Sequence, residues 1–218
     1  MKTLGLILFF SILLASCKKE RAAGGCIAQT TSIASVSATD NATIQTLLNN
    51  NNLSGKNQVF LYYTSYSAQN QQNQDVLYQS AGSIQVRNGL PIFYGDLYYS
   101  FQNGVLEGIS GKSYGAVSLD TKPSQTLPVL NQLFITEAVN KQGINASYKD
   151  SCYVAQFGYY DLNRTSITDT TTSFVKAWEV HPAHSPFPQC YIRDDNGGTL
   201  YFDSGIRLFY NANSRKIN

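Results

Sequence analysis

The chain has 218 residues, 43% hydrophobic and 14% charged, long enough to bury a core without metal or disulfide staples and too apolar for a disordered tail. Sixteen Lys and Arg against fourteen Asp and Glu give a formal net charge of +2 with no block of like charge, so the electrostatic footprint of a nucleic-acid binder is missing. Fifteen Tyr and eleven Phe, interleaved with Thr, Ser, Asn and Gln, favour strands over helices.

Met1-Lys2-Thr3 is followed by an apolar run from Leu4 to Ala15, too short for a stable spanning helix but of secretory h-region length. Residues 1–16 are therefore expected to be a signal peptide. The run ends Leu14-Ala15-Ser16-Cys17, which resembles the bacterial lipobox. That resemblance implies cleavage before Cys17 and a lipid on its sulfur. Each buried CH₂ of an acyl chain contributes about 0.8 kcal/mol, so a multiply acylated Cys17 would hold the chain on a bacterial membrane, in the cell envelope and exposed to periplasm or exterior. Residues 17–38, rich in Ala, Gly, Ser and Thr, read as a flexible tether.

Such a compartment is oxidising, and Cys26, Cys152 and Cys190 remain after Cys17 is set aside. Cys152 and Cys190 lie in segments that read as folded, whereas Cys26 lies in the tether, so a Cys152–Cys190 bridge is the expected pairing. It requires that the two segments do not flank a common middle strand, which would hold their Cα atoms roughly 10 Å apart, beyond disulfide reach.

Thr39-Asp40 can cap a helix whose apolar positions Ile44, Leu47 and Leu48 follow helical spacing, and the run Asn49 to Asn52 ends it. Val59 to Thr64 is β-rich, and the Gln- and Asn-laden stretch Ser67 to Asp75 reads as a loop. Strands are expected at Val76–Tyr78, Ser83–Arg87, Ile92–Phe101 and Val105–Ile109, with hairpin turns at Asn88-Gly89 and Asn103-Gly104, where positive φ is tolerated. Asp120 to Pro128, with Pro123 and Pro128, marks a junction. Beyond it a second helix is predicted, with Leu130, Leu133, Phe134 and Ala138 on one face, a Glu137/Lys141 pair, and Gly143 as C-cap. Strands then follow at Cys152–Asp161, Phe174–Val180, Cys190–Arg193 and Thr199–Phe202, the last two joined by Asp195-Asn196-Gly197-Gly198. The second half thus repeats the design of the first, without a residue-level repeat.

Catalytic constellations are sparse. His181 and His184 are the only histidines, are kept off a helix by Pro182 and Pro186, and fall short of the three protein ligands a zinc site needs. There is no Gly-x-Ser-x-Gly, and Gly108-Ile109-Ser110-Gly111 lacks the Lys-Ser/Thr of a phosphate loop. Asp194-Asp195 sit beside a glycine turn, where Asp serves turn geometry more often than acid/base work. Tyr98-Tyr99 could stack a sugar, although alternating sheet aromatics are more often core. No enzyme, metal or cofactor is expected on this reading.

Gln85-Val86-Arg87-Asn88-Gly89-Leu90-Pro91-Ile92-Phe93-Tyr94-Gly95-Asp96-Leu97, then Asn103-Gly104-Val105, Ser110-Gly111 and Leu119-Asp120-Thr121-Lys122-Pro123, resembles the fungalysin/thermolysin propeptide motif. Phe157 to Leu162, Lys176-Ala177-Trp178-Glu179-Val180 and Tyr191 to Leu200, which contains Asp194 and Gly197, resemble in order the strands and hairpin of a PepSY domain. The resemblance covers about residues 39–205. It implies a propeptide-like domain at 39–122 and a PepSY-like domain at 123–218, with Gln85, Gly89, Pro91, Phe93, Gly95, Asp96, Trp178, Glu179, Asp194 and Gly197 as the matched positions. In that family the tandem precedes a zinc peptidase, chaperones its folding and covers its cleft. This chain runs only to Asn218, so the expectation is the regulatory fold without its covalent client.

The expected fold is α+β, two cystatin-like units each packing one helix on a twisted antiparallel sheet. The expected function is a noncatalytic, membrane-anchored lipoprotein that binds and inhibits or chaperones a secreted zinc metallopeptidase. The alternative is a surface lipoprotein that binds glycan or peptide on a Tyr-rich sheet. Strand alternation adds one sharp expectation: Trp178 faces inward near Leu130, Leu133 and Phe134, with Ala177 and Glu179 on the opposite face.

Overall fold

A computed structural model describes residues 26–142, 152–164 and 171–205. The expected signal peptide at 1–16, the expected lipidation position Cys17 and the expected C-cap Gly143 lie outside the described residues. The fold is α+β, with two helices and one mixed, mostly antiparallel sheet among the described residues. In chain order the elements are β1 (Cys26–Thr30), α1 (Ala38–Asn50), β2 (Gln58–Gln69), β3 (Asp75–Arg87), β4 (Leu90–Gln102), β5 (Val105–Ser110), α2 (Leu127–Gln142), β6 (Cys152–Asp161), β7 (Phe174–Pro182), β8 (Gln189–Arg193) and β9 (Thr199–Asp203). The sheet runs β2-β3-β4-β6-β7-β8-β9, with β5 on β4 and β1 on β6. Only β4/β6 and β1/β6 are parallel.

Helix α1 is capped at Ser37, two to three residues earlier than the Thr39-Asp40 the sequence suggested. Ser37 Oγ accepts the Asp40 amide at 3.1 Å and donates to the Asp40 carboxylate at 2.8 Å, so Asp40 is the reciprocal partner in the first turn rather than the cap. Its other end is fixed by Asn51, whose amide donates to Leu47 O and to Gly104 O and accepts from the Leu106 N–H. This ties the helix to the β4–β5 hairpin. The stripe Ile44, Leu47 and Leu48 meets Phe60, Ala81, Leu97, Tyr99 and Phe101, forming the core of the first half.

In the second half Leu130, Phe134, Ile135 and Ala138 of α2 pack on Tyr153, Ala155, Phe157, Trp178, Val180, Cys190 and Ile192, with Leu133 at the margin. Trp178 is 1% exposed, its ring centroid 4.9 Å from that of Phe157. The indole thus faces α2 as alternation required, and Lys176 on the same face runs to Asp120 and Asp194. Burying each such large side chain contributes about 1.5–3 kcal/mol. The connection through Tyr114 and Val117 covers Ile92 and Tyr159, closing the joint between the halves.

Several expectations are corrected. The tether assigned to 17–38 contains β1, which pairs in parallel with β6 and places Cys26 opposite Cys152. Their Cα atoms are 4.5 Å apart and the two residues form a disulfide. The Cys152–Cys190 pairing is therefore wrong, because β6 and β8 flank β7 and their chains stand roughly 10 Å apart. Cys190 is a buried free thiol whose pKa is pushed up to about 12 by burial. The stretch Ser67–Asp75 is not one loop: β2 continues to Gln69, β3 starts at Asp75, and only 70–74 turn. Val76–Tyr78 and Ser83–Arg87 are likewise parts of the one strand β3.

Candidate functional site

The residues that carry the family resemblance build the framework of the molecule. Opposite β3, strand β4 contains an insertion: Val86 pairs with Pro91 while Ile84 pairs with Asp96, and between them Ile92 and Phe93 pair instead with Tyr159 and Tyr160 of β6. This splice joins the two halves into one sheet. Tyr94 takes φ +59° there, and a Cβ on Gly95 would stand 2.7 Å from Ile92 O, so the crowded backbone excludes a larger residue. Gln85, 1% exposed, fills the interrupted ladder. Its amide donates to Gly95 O at 2.9 Å and Lys112 O at 2.8 Å, and accepts from the Tyr114 N–H at 2.8 Å. Pro91 is buried at the start of β4, and Gly89 takes φ +80° in the Asn88-Gly89 turn.

Asp194 plays the matching role in the second half. Wholly buried, it accepts the Ser124 and Gln125 amides ahead of α2 and the Trp178 indole N–H at 2.9 Å. Burial opposes its ionisation, but those amide and indole donors outweigh it and hold the pKa below the usual carboxylate range. Asp195 is a turn residue paired with Arg193, and Gly197 takes φ +72° in the same turn. Asp161, also buried, receives Lys112 at 2.8 Å and the Ser173 and Asn163 amides. His181 lies near the end of β7, paired with Val154, with Nδ1 against Pro182 O and Ser185 O. Among the described residues no three His, Cys, Asp or Glu are placed to hold a metal ion.

What these locks leave over is the sheet surface away from the helices. In the second half that surface is filled. The small residues Gly158 and Ala177 leave a depression in which the Phe93 ring lies, reaching Tyr191 at 5.2 Å. Tyr94, Tyr160 and Tyr201 close around the Arg164 guanidinium, which is 3.9 Å from the Tyr94 ring centroid and bonds the Tyr160 hydroxyl. Glu179 lies beneath, receiving Gln189 and Tyr191. Burial raises its pKa despite those donors, with the Asp96 carboxylate adding to the rise.

In the first half the same surface is open. Tyr62 lies across Gly82, where a Cβ would collide with its ring, and its centroid is 6.4 Å from that of Tyr98 on β4. Tyr62 is 40% exposed and Tyr98 46%. Between and beside them Ser80, Ser100, Gly108, Ile109 and Ser110 floor a shallow pocket of about 250 Å³, whose lining carries no Asp, Glu, Lys or Arg. Tyr66 and Tyr78 stack further along at 5.4 Å. Asp96 lies between the two surfaces, its pKa raised by burial, and its charge raises that of Tyr98. Of the sequence candidates, both Tyr98 and Tyr99 line this pocket, but Tyr98 is exposed whereas Tyr99 is core at 5% exposure. Tyr62 was not singled out, and the signal that could have found it is its cross-strand position opposite Gly82.

No family model matches the chain, and no curated protein matches it. Among solved structures the chain is similar to the C-terminal domain of YpeB from Bacillus megaterium, at a TM-score of 0.34 and 10% identity over 78% of this chain and 98% of that one.

Proposed function

We propose that the chain is a noncatalytic, lipid-anchored binding protein of the bacterial cell envelope that takes a glycan on the open face of β2–β5. The supporting observation is the pair Tyr62 and Tyr98, exposed, with the Tyr62 ring lying across Gly82, and floored by Ser80, Ser100 and Ser110. Exposed rings offer flat apolar faces to the C–H surface of a sugar, and the hydroxyls around them supply hydrogen bonds without charge. An uncharged lining suits a neutral saccharide better than an ionic ligand. The test is a titration of the protein with neutral oligosaccharides, read by calorimetry and tyrosine fluorescence. Saturable binding in the range of about 10 μM to 1 mM, lost in Tyr62→Ala and Tyr98→Ala, is expected. Binding that survives both substitutions would remove the reading, as would its replacement by binding of uncharged peptides.

A second reading is the peptidase regulator implied by the propeptide and PepSY resemblance, with the two halves as cystatin-like units. What favours it is that Gln85, Gly95, Trp178 and Asp194, all matched positions, are the residues that lock each half. Mixing the protein with thermolysin-type zinc peptidases tests it. Unchanged peptidase rates and no complex at about micromolar concentration would exclude it. Anchoring rests on Cys17, and Cys17→Ser is expected to release the protein from the membrane fraction.

A further inference from the structure

Among the described residues the sheet has four strands with an unpaired side, and three of them carry devices that prevent further pairing. Strand β1 has five residues and is disulfide-bonded to its neighbour. Strand β5 carries Glu107 and runs into Gly111 at φ +106°. Strand β9 has five residues and ends on Asp203. Charge, brevity and abrupt termination are the usual means of blunting an edge.

Strand β2 has none of these along most of its length. It is twelve residues long, and no charged residue or proline occurs between Lys56 and Asp75. Its bulge, between Phe60 and Tyr62, and the bond from Val36 N to Phe60 O occupy only its start. From Leu61 to Gln69 no described residue outside β3 makes a backbone hydrogen bond to it. A row of backbone donors and acceptors therefore faces outward beside Leu61, Tyr62 and Tyr66, which are 40%, 40% and 60% exposed.

We propose that this edge pairs with the β2 edge of a second copy of the chain, antiparallel about a two-fold axis perpendicular to the sheet near Ser65. Two arguments favour a second copy. An uncharged strand meets its own image without like-charge repulsion. An axis perpendicular to the sheet also keeps both open faces on one side, joining the two Tyr62/Tyr98 surfaces into one continuous platform.

Cross-linking of the full chain in membranes tests the pairing. Ser65→Cys is expected to give a disulfide-linked dimer at least about tenfold more abundant than Val105→Cys on the exposed β5 edge. Thr64→Lys, an exposed substitution on the same strand, is expected to cut that product about tenfold by setting cations across the joint, with the melting temperature unchanged. Should the local register disfavour the disulfide, spin labels at position 65 are expected within about 20 Å of each other in detergent. Equal cross-linking at 65 and 105 together with labels that report a monomer would overturn the proposal. Dimer formation insensitive to Thr64→Lys would overturn it too. A monomer that instead takes up a synthetic β2 peptide would replace the second copy with an extended peptide.

Discussion

The two halves of the sheet receive their helices in the same manner and differ on the other side. In the second half Phe93, Tyr94, Tyr160, Tyr191 and Tyr201 cover the surface opposite α2 and bury Glu179 beneath them. In the first half the surface opposite α1 keeps Tyr62 and Tyr98 in solvent over a floor of serines and glycine. Strand β4 supplies both surfaces, Phe93 and Tyr94 at the splice and Tyr98 after it. The difference teaches that ring content alone decides nothing. Small residues at Gly158 and Ala177 admit a ring from the next strand, whereas at Gly82 the admitted ring is Tyr62, which remains at the surface.

The largest effect that sharpens this contrast is expected at Trp178. Trp178→Ala removes an indole from the α2 core and the donor to Asp194, and should cost about 3–5 kcal/mol, read as a fall in the melting transition of the second half. Next is the Cys26–Cys152 link. Cys152→Ser, or reduction, is expected to cost about 2–4 kcal/mol in urea unfolding, the reductant having no further effect on the variant. Gln85→Leu leaves the Tyr114 N–H without its acceptor and should cost about 1–3 kcal/mol while loosening both halves together. If only one half melts earlier, the splice does not couple them.

A smaller effect has a sign that depends on pH. Burial raises the Glu179 pKa, so its contribution to stability is present at acid pH and is lost as pH rises through the folded value. Glu179→Gln should therefore raise the melting temperature at neutral pH, with the gain shrinking in acid. Asp161 and Asp194 run oppositely, because their lowered values supply stability above the ordinary Asp range that is lost as pH falls through them. The smallest change in stability is expected at the open face, where Tyr62→Ala and Tyr98→Ala should stay within about 0.5 kcal/mol of the parent in urea unfolding.

Local chemistry was legible in the sequence. Asn88-Gly89 and Asn103-Gly104 announce their hairpins because both residues of each turn need positive φ, and the stripes of α1 and α2 follow from period alone. Trp178 was assigned correctly because a strand cannot bury both Trp178 and Glu179 against one helix. What escaped depends on partners far along the chain. Cys26 looks like tether until β6 is seen beside it, and the long β2–β3 ladder runs through a Gln- and Asn-rich stretch whose composition suggests a loop. The left-handed turn at Tyr94 carries no local signal at all. Gln85 and Asp194 were visible as motif positions, but their work as buried acceptors and donors could be read only once Tyr114, Ser124 and Trp178 were in place. The candidate site was half legible: Tyr98 stood out, yet which of Tyr98 and Tyr99 faces solvent depends on the register with β3.

The Cys26–Cys152 bond also gives the molecule a topology. It closes a covalent ring, 126 residues in sequence separation, that contains the whole of the first half, the β4 strand of the splice and helix α2. A single nick within the ring, for instance in the exposed turn at 70–74, opens a circle rather than cutting a string. Both ends of the cut stay attached to the second half, one through Cys26 and the other through the continuing chain. Such a nicked molecule would migrate as one species until a reductant is added, and the open tyrosine face would remain held to its support after damage that would sever an unlinked chain.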